Sequence, residues 1–179
     1  MADNSEIRAA GDIIQAVQEK YEKLTRLLIR KNRTITTMES CTAGLIASLI
    51  TDTEGSSAIL KGAFVTYCNE AKIRQGVPEK VIAEYGVYSV ETAEAMAEAC
   101  RRAYCADIGI GITGSFGNED PNNPDSIPGE VFFAIAAGSR MKKEHCSVPC
   151  QPSRQAYKLY MAEKVADEIL KELSGDTAE

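Results

Sequence analysis

The chain has 179 residues, 44% of them apolar and 26% charged, which fits one packed domain and excludes global disorder. Acidic residues outnumber basic ones by 26 to 20, for a net charge of −6; surfaces that neutralise nucleic-acid phosphates are ordinarily basic, so nucleic-acid binding is disfavoured. No apolar run reaches the roughly 18 residues of a membrane-spanning helix, and the acidic N-terminus lacks a signal-peptide core, so a cytoplasmic protein is expected.

Residues 5–31 carry Ile13, Ile14, Val17, Tyr21, Leu24 and Leu28 at spacings of three and four, which predicts a long amphipathic helix with Ser5 as its N-cap. The β-branched run 34–38 predicts the first strand. It stops at Glu39-Ser40-Cys41-Thr42-Ala43-Gly44, after which Leu45, Ile46, Leu49 and Ile50 resume helical spacing. Such strand–turn–helix joints are where α/β proteins bind ligands. A turn at 55–57 precedes a second strand over 62–67. Asn69 is placed to cap a short helix through Lys72 and Ile73. Pro78 opens another short helix, which Gly86 ends.

Ser89 is positioned to cap a helix running to about residue 104. The stretch 107–112, Asp-Ile-Gly-Ile-Gly-Ile, predicts a buried strand whose glycines permit close packing, ending at Thr113-Gly114-Ser115. Residues 115–129 form a long loop, a length that is often functional. Residues 131–137 predict an apolar strand and 143–148 a more exposed, antiparallel one. A helix over 153–173 closes the chain, with a frayed tail at 174–179. Alternating strands and helices predict an α/β sandwich with helices on both faces of one sheet.

The single histidine, His145, lies in a charged run that predicts a solvated edge strand, so a hydrolase built from this chain needs lysine, tyrosine or a carboxylate as its base. The six cysteines show no CxxC spacing; reduced thiols are expected, and no metal site. Cys41 and Cys68 flank the polar clusters without a histidine nearby and are expected to be small buried side chains.

Three polar clusters follow three candidate strands: Glu39-Ser40-Cys41-Thr42, Tyr67-Cys68-Asn69-Glu70-Ala71-Lys72 and Thr113-Gly114-Ser115. They converge on one sheet edge if the strands are parallel neighbours. Ser40 is either a helix N-cap or a nucleophile beside backbone amides. Lys72 is either a solvated helix lysine or, if buried, a base of lowered pKa. Arg154 is either a surface charge or a fork for an anionic group.

Taken in order, Glu39-Ser40-Cys41-Thr42-Ala43-Gly44, Gly55-Ser56-Ser57, Tyr67-Cys68-Asn69-Glu70-Ala71-Lys72 and Ile112-Thr113-Gly114 strongly resemble the CinA C-terminal domain family, from about residue 7 to 173. The resemblance implies one domain over 1–179 with a three-layer α/β/α sandwich on a mixed, mostly parallel sheet of about five strands. It implies an amidase that converts nicotinamide mononucleotide to nicotinate mononucleotide and ammonia, with no cofactor and no metal. Ser40 matches the family's nucleophile, and Lys72 and Tyr67 its proton-transfer partners. Thr42, Gly44, Ser57, Asn69, Thr113, Gly114 and Arg154 match substrate-binding positions, Arg154 as a contact for substrate charge. A homo-oligomer is expected, because family members self-associate and the first helix offers an apolar face. The chain departs from the family after its third strand, where Gly114-Ser115-Phe116-Gly117-Asn118 replaces Gly-Ile-Ala-Gly-Pro. Ala43 and Cys68 replace a glycine and a serine, and Pro152-Ser153 replaces Gly-Asp. A nucleotide-binding domain without turnover, or an amidase with a different substrate, is the alternative.

Overall fold

The computed structural model describes residues 4–117, 119–121, 123 and 126–175, with side chains from residue 11 onward. Five strands form one sheet: β1 (Ile35–Glu39), β2 (Leu60–Val65), β3 (Ile108–Gly114), β4 (Glu130–Ala137) and β5 (Arg140–Ser147), in the order β2-β1-β3-β4-β5. β2, β1 and β3 are parallel neighbours, while β4 runs antiparallel to both β3 and β5. Four of the five strands therefore point the same way, in a mixed sheet. The helices are α1 (Asn4–Lys31), α2 (Leu45–Thr51), α3 (Asn69–Arg74), α4 (Glu79–Tyr85), α5 (Val90–Ala103) and α6 (Arg154–Gly175). Helices α1, α2 and α6 pack together on one face, and α5 packs on the other with α4 beside it. This is the three-layer α/β/α sandwich.

Alternation along the strands builds both faces. Ile108, Ile110 and Ile112 of β3 enter the large core shared with Tyr21, Leu24 and Leu28 of α1 and Val165 and Ile169 of α6. The intervening Gly109 and Gly111 face α5: a Cβ there would lie 2.2 Å from the Ala97 carbonyl oxygen and 2.1 Å from that of Ala93. Only glycine lets the helix backbone come this close. The facing residues of α5 and β4 are correspondingly small, namely Ala93, Ala97, Ala134 and Ala136.

The apolar face of α1 from Val17 to Leu28 is covered by its own chain, while Ile13 nearer its start is 50% exposed. Val17, Tyr21, Leu24 and Leu28 are buried, and Tyr21 Oη donates to the Ala162 carbonyl at 2.8 Å. Along this stretch α6 occupies the face that was expected to serve self-association. Ser5 lies inside α1, which begins at Asn4, and so is not its N-cap. Ser89 caps α5 as expected, accepting from the Thr92 amide at 3.1 Å. Asn69 does not cap α3; Cys68 holds that position without a side-chain bond. The second strand begins and ends two residues earlier than its apolar pattern predicts. Thr66 leaves the strand with its amide bonded to the Glu39 carbonyl at 2.8 Å. β5 is the exposed outer strand expected from its charges. Among the described residues no helix is long and apolar enough to cross a membrane.

This topology positions the site. From the carboxyl end of β1 the chain turns to α2 on one face. From the neighbouring end of β2 it turns into α3, whose following turn packs on α5 at the other face, with Gly76 lying against Ala99. Connections that diverge to opposite faces open a crevice at the strand ends, the usual ligand position in such sheets. The polar clusters after β1, β2 and β3 meet there.

Candidate active site

The residue after β1 continues its alternation. Ile35, Thr37 and Glu39 face the α1–α2 side, whereas Met38 enters the smaller core under α5. Glu39 is fully buried, and its carboxylate accepts five hydrogen bonds: from Thr37 Oγ1 (3.0 Å), Thr42 Oγ1 (2.7 Å) and the amides of Gly44 (3.0 Å), Ile46 (3.1 Å) and Ala47 (3.0 Å). A buried carboxylate is tolerable only when so satisfied. It also caps α2, because a negative charge sits where the helix exposes unpaired amides. Ser40 is therefore not the N-cap. Helix α2 starts at Leu45 after a turn in which Ala43 and Gly44 adopt positive φ, and its first amides are taken by Glu39 rather than held open beside Ser40.

Ser40 faces the other way. It is 6% exposed, its amide donates to the Ile112 carbonyl at 3.0 Å, and its Oγ lies 3.1 Å from Lys72 Nζ. Lys72 is 1% exposed, projects from α3, and also donates to the Thr66 carbonyl at 2.8 Å. Burial without a carboxylate in contact pushes its pKa down from 10.5 to about 8; weaker attraction from Cys41, Cys68 and Asp120 opposes the fall. A neutral lysine has two N–H groups and one lone pair. With one N–H on Thr66, the lone pair can accept the Ser40 hydroxyl proton. The serine and lysine thus form a buried pair near physiological pH, the chemistry of an activated nucleophile.

The pair opens onto a cavity of about 280 Å³ whose wall includes Ser40, Cys41, Tyr67, Tyr88, Gly114, Ser115, Asp120, Pro121 and Arg154. Gly114, on this wall, has φ +155° and no room for a side chain on its β4 side, where a Cβ would meet the Glu130 carbonyl oxygen and Val131 Cα at 2.6 Å. Arg154, the first residue of α6, donates through Nη2 to Tyr67 Oη at 3.1 Å and through Nη1 to the Phe116 carbonyl at 3.3 Å, with its guanidinium over the Phe116 ring. It also borders a neighbouring groove of about 500 Å³ lined by Gly44, Ser48, Gln155 and Lys158 among others. Arg154 thus stands between the reactive cavity and a second, partly cationic space.

Several expected site residues hold other positions. Tyr67 is 63% exposed and bonds Arg154, with no hydrogen bond to Lys72 or Ser40. The Thr42 hydroxyl goes to Glu39 and the buried Thr113 hydroxyl to the Val87 carbonyl at 3.0 Å, so both brace the site's framework. Gly44 borders the groove rather than the cavity. Asn69 donates to Asn123 Oδ1 at 3.3 Å, tying α3 to the long loop. Ser57 is misplaced by the motif reading. It is exposed and precedes β2, whereas Ser40 follows β1; because β1 and β2 are parallel, Ser57 lies at the opposite end of the sheet. Cys41 is buried with its thiol pushed up to about 12, first by burial and then by Glu39, and is no thiolate nucleophile. Cys68, expected to be buried, is exposed. His145 stacks on Phe132 and contacts Glu130 on the outer strand, three strands from β1.

The sequence reading missed Tyr88 and Asp120. Tyr88 Oη donates to Asp120 Oδ2 at 2.6 Å on the cavity wall, and burial and that carboxylate hold its phenol well above the usual tyrosine range. The signal for Asp120 was the long loop itself, whose sequence does not follow the family pattern; Tyr88, between α4 and α5, carried none.

A mixed α/β sheet sandwiched between helices, with a buried serine–lysine pair at the carboxyl ends of its parallel strands, defines the class as a three-layer α/β/α domain with a polar crevice. The family model of the CinA C-terminal domain matches residues 17–173, and the chain belongs to that family. It is 41% identical over 137 residues to a CinA-like protein of Geobacter sulfurreducens, covering 74% of this chain and 33% of the relative. A CinA-like protein of Geobacter metallireducens is 39% identical over 142 residues, covering 77% and 34%. The chain spans between a quarter and about a third of the length of the curated relatives it matches. Among solved structures, the competence or damage-inducible protein of Enterobacter asburiae superposes with a TM-score of 0.81 at 25% identity, covering 88% of this chain and 98% of that one.

Proposed function

We propose that the protein is a metal-independent amidase that hydrolyses the carboxamide of nicotinamide mononucleotide through Ser40. The observation that carries this reading is the contact of Lys72 Nζ with Ser40 Oγ at 3.1 Å inside a buried site that lowers the lysine pKa to about 8. Lys72 accepts the Ser40 proton as Oγ attacks the amide carbon. The protonated lysine then delivers that proton to the departing nitrogen, ammonia leaves, and an acyl-serine ester remains. Water attacks the ester with Lys72 again taking the proton, which regenerates Ser40 and releases the carboxylate. Arg154 supports a nucleotide over a plain amide, because its fork beside the cavity suits a phosphate. Tyr67 acts on this scheme through Arg154, whose guanidinium it orients.

Ammonia and nicotinate mononucleotide should appear in equal amounts when the full chain is incubated with nicotinamide mononucleotide. Nucleotide binding without ammonia release would overturn the amidase and favour a pure binding domain. Release on another carboxamide alone would keep the mechanism and replace the substrate.

A further inference from the structure

Asp120 enters the Ser40 cavity from the loop between β3 and β4. Its placement is built by three parts of the chain. Tyr88, next to the cap of α5, donates to Asp120 Oδ2 at 2.6 Å. Asn123 Nδ2 donates to the same oxygen at 2.6 Å, and Asn123 in turn accepts from Asn69 of α3, the helix that carries Lys72. The Asp120 amide donates to Ser126 Oγ at 2.7 Å. A carboxylate fixed in this way repels an anionic ligand unless the ligand also brings positive charge to it. Arg154 lies on the same wall, so among the described residues the cavity wall carries one anionic and one cationic side chain.

We infer that Asp120, oriented by Tyr88, is a specificity-determining contact for a fixed positive charge on the ring that bears the scissile carboxamide, while Arg154 faces the anionic end of the same molecule. The inference rests on the amidase reading, and it selects quaternary pyridinium amides over neutral ones. A pyridinium holds its charge in the ring that carries the amide, so an amide at Ser40 brings that charge into the same cavity. The electrostatics of the base agree. Asp120 attracts protons to Lys72, and a cation docked on Asp120 offsets that attraction and favours the neutral, proton-accepting lysine. Binding the charged ring thus helps to ready the base.

The test is a binding titration of 1-methylnicotinamide, a fixed cation, against neutral nicotinamide, in a Ser40→Ala background so that nothing turns over. The cation should bind roughly two- to fivefold tighter, the size of a partly exposed charge pair. Asp120→Asn should bring the ratio near one while leaving nicotinamide affinity unchanged. Tyr88→Phe, which keeps the carboxylate and removes its orienting bond, should lower the ratio part of the way. An unchanged ratio in Asp120→Asn overturns the assignment, and so does equal weakening of both ligands or failure of both to bind. Absence of ammonia release from the unmutated protein, together with an Asp120-dependent ratio, would sink the amidase reading and leave the cation contact standing.

Discussion

Replacing Lys72 by methionine should inactivate the protein and stabilise it at neutral pH. The side chain keeps its unbranched shape, one atom shorter, and loses its charge. In the folded protein the lysine titrates near 8, against 10.5 in an unfolded chain. At 1.36 kcal/mol per pH unit, that depression costs about 3 kcal/mol of stability at pH 7. The sign follows from proton binding: between about pH 8 and 10.5 the unfolded chain holds a proton that the folded protein has released. Stability from this group is therefore complete above 10.5 and lost as pH falls through 8. Methionine removes the penalty but gives up the bonds to Thr66 and Ser40, roughly 2 kcal/mol together. The variant should be about 1 kcal/mol more stable at pH 7, raising Tm by roughly 3 °C. Its advantage should shrink by about 1.4 kcal/mol per pH unit above pH 8, ending near pH 10.5 as a deficit of about 2 kcal/mol. Urea unfolding of both proteins from pH 7 to 10.5 measures this difference. A stability difference that does not move with pH refutes a lysine held neutral by burial.

Ser40→Ala should abolish ammonia release while leaving Tm within a few degrees, since Glu39 and not Ser40 caps α2; retained turnover would remove the nucleophile. Glu39→Gln should cost about 2–4 kcal/mol in denaturant unfolding, because an amide nitrogen cannot accept from the Gly44, Ile46 or Ala47 amides that the carboxylate serves; a neutral result would show that the turn needs no anion. Arg154→Ala should raise KM for nicotinamide mononucleotide by roughly ten- to a hundredfold, the loss of one charge-assisted contact, with little change on the uncharged-tail nicotinamide riboside. Equal losses on the two substrates would remove the phosphate assignment.

The layered fold was legible because its periodicities were strong: α1, β3, α5 and α6 each showed one apolar pattern, and Gly109 and Gly111 announced a helix pressed on a strand. The convergence of Ser40 and Lys72 was legible once three strands were read as parallel neighbours. What escaped the sequence depended on direction rather than identity. Glu39 reads as one more polar residue at a strand end, yet alternation turns it under α2, away from Ser40. Ser57 sits in a motif, but strand polarity carries it to the far end of the sheet. Tyr67 is close to Lys72 in sequence, but it lies before the helix that buries the lysine, and its hydroxyl reaches across to Arg154. Asp120 and Tyr88 are 32 residues apart, and only loop closure brings them together. The stretch of the α1 face from Val17 to Leu28 looked available because the helix that covers it lies at the other end of the chain.

The pH dependence of kcat/KM for ammonia release, measured on the unmutated protein and on Lys72→Arg, tests most directly whether Lys72 is the base for Ser40. The unmutated protein should lose one proton with an apparent pKa near 8 and reach a plateau above it. Arginine keeps the charge but cannot give up its proton, so the variant should fall by about a hundredfold or more across the range and lack that limb. A Lys72→Arg protein that retains most of the turnover, or that keeps a limb near 8, would contradict the account and move the base elsewhere in the cavity.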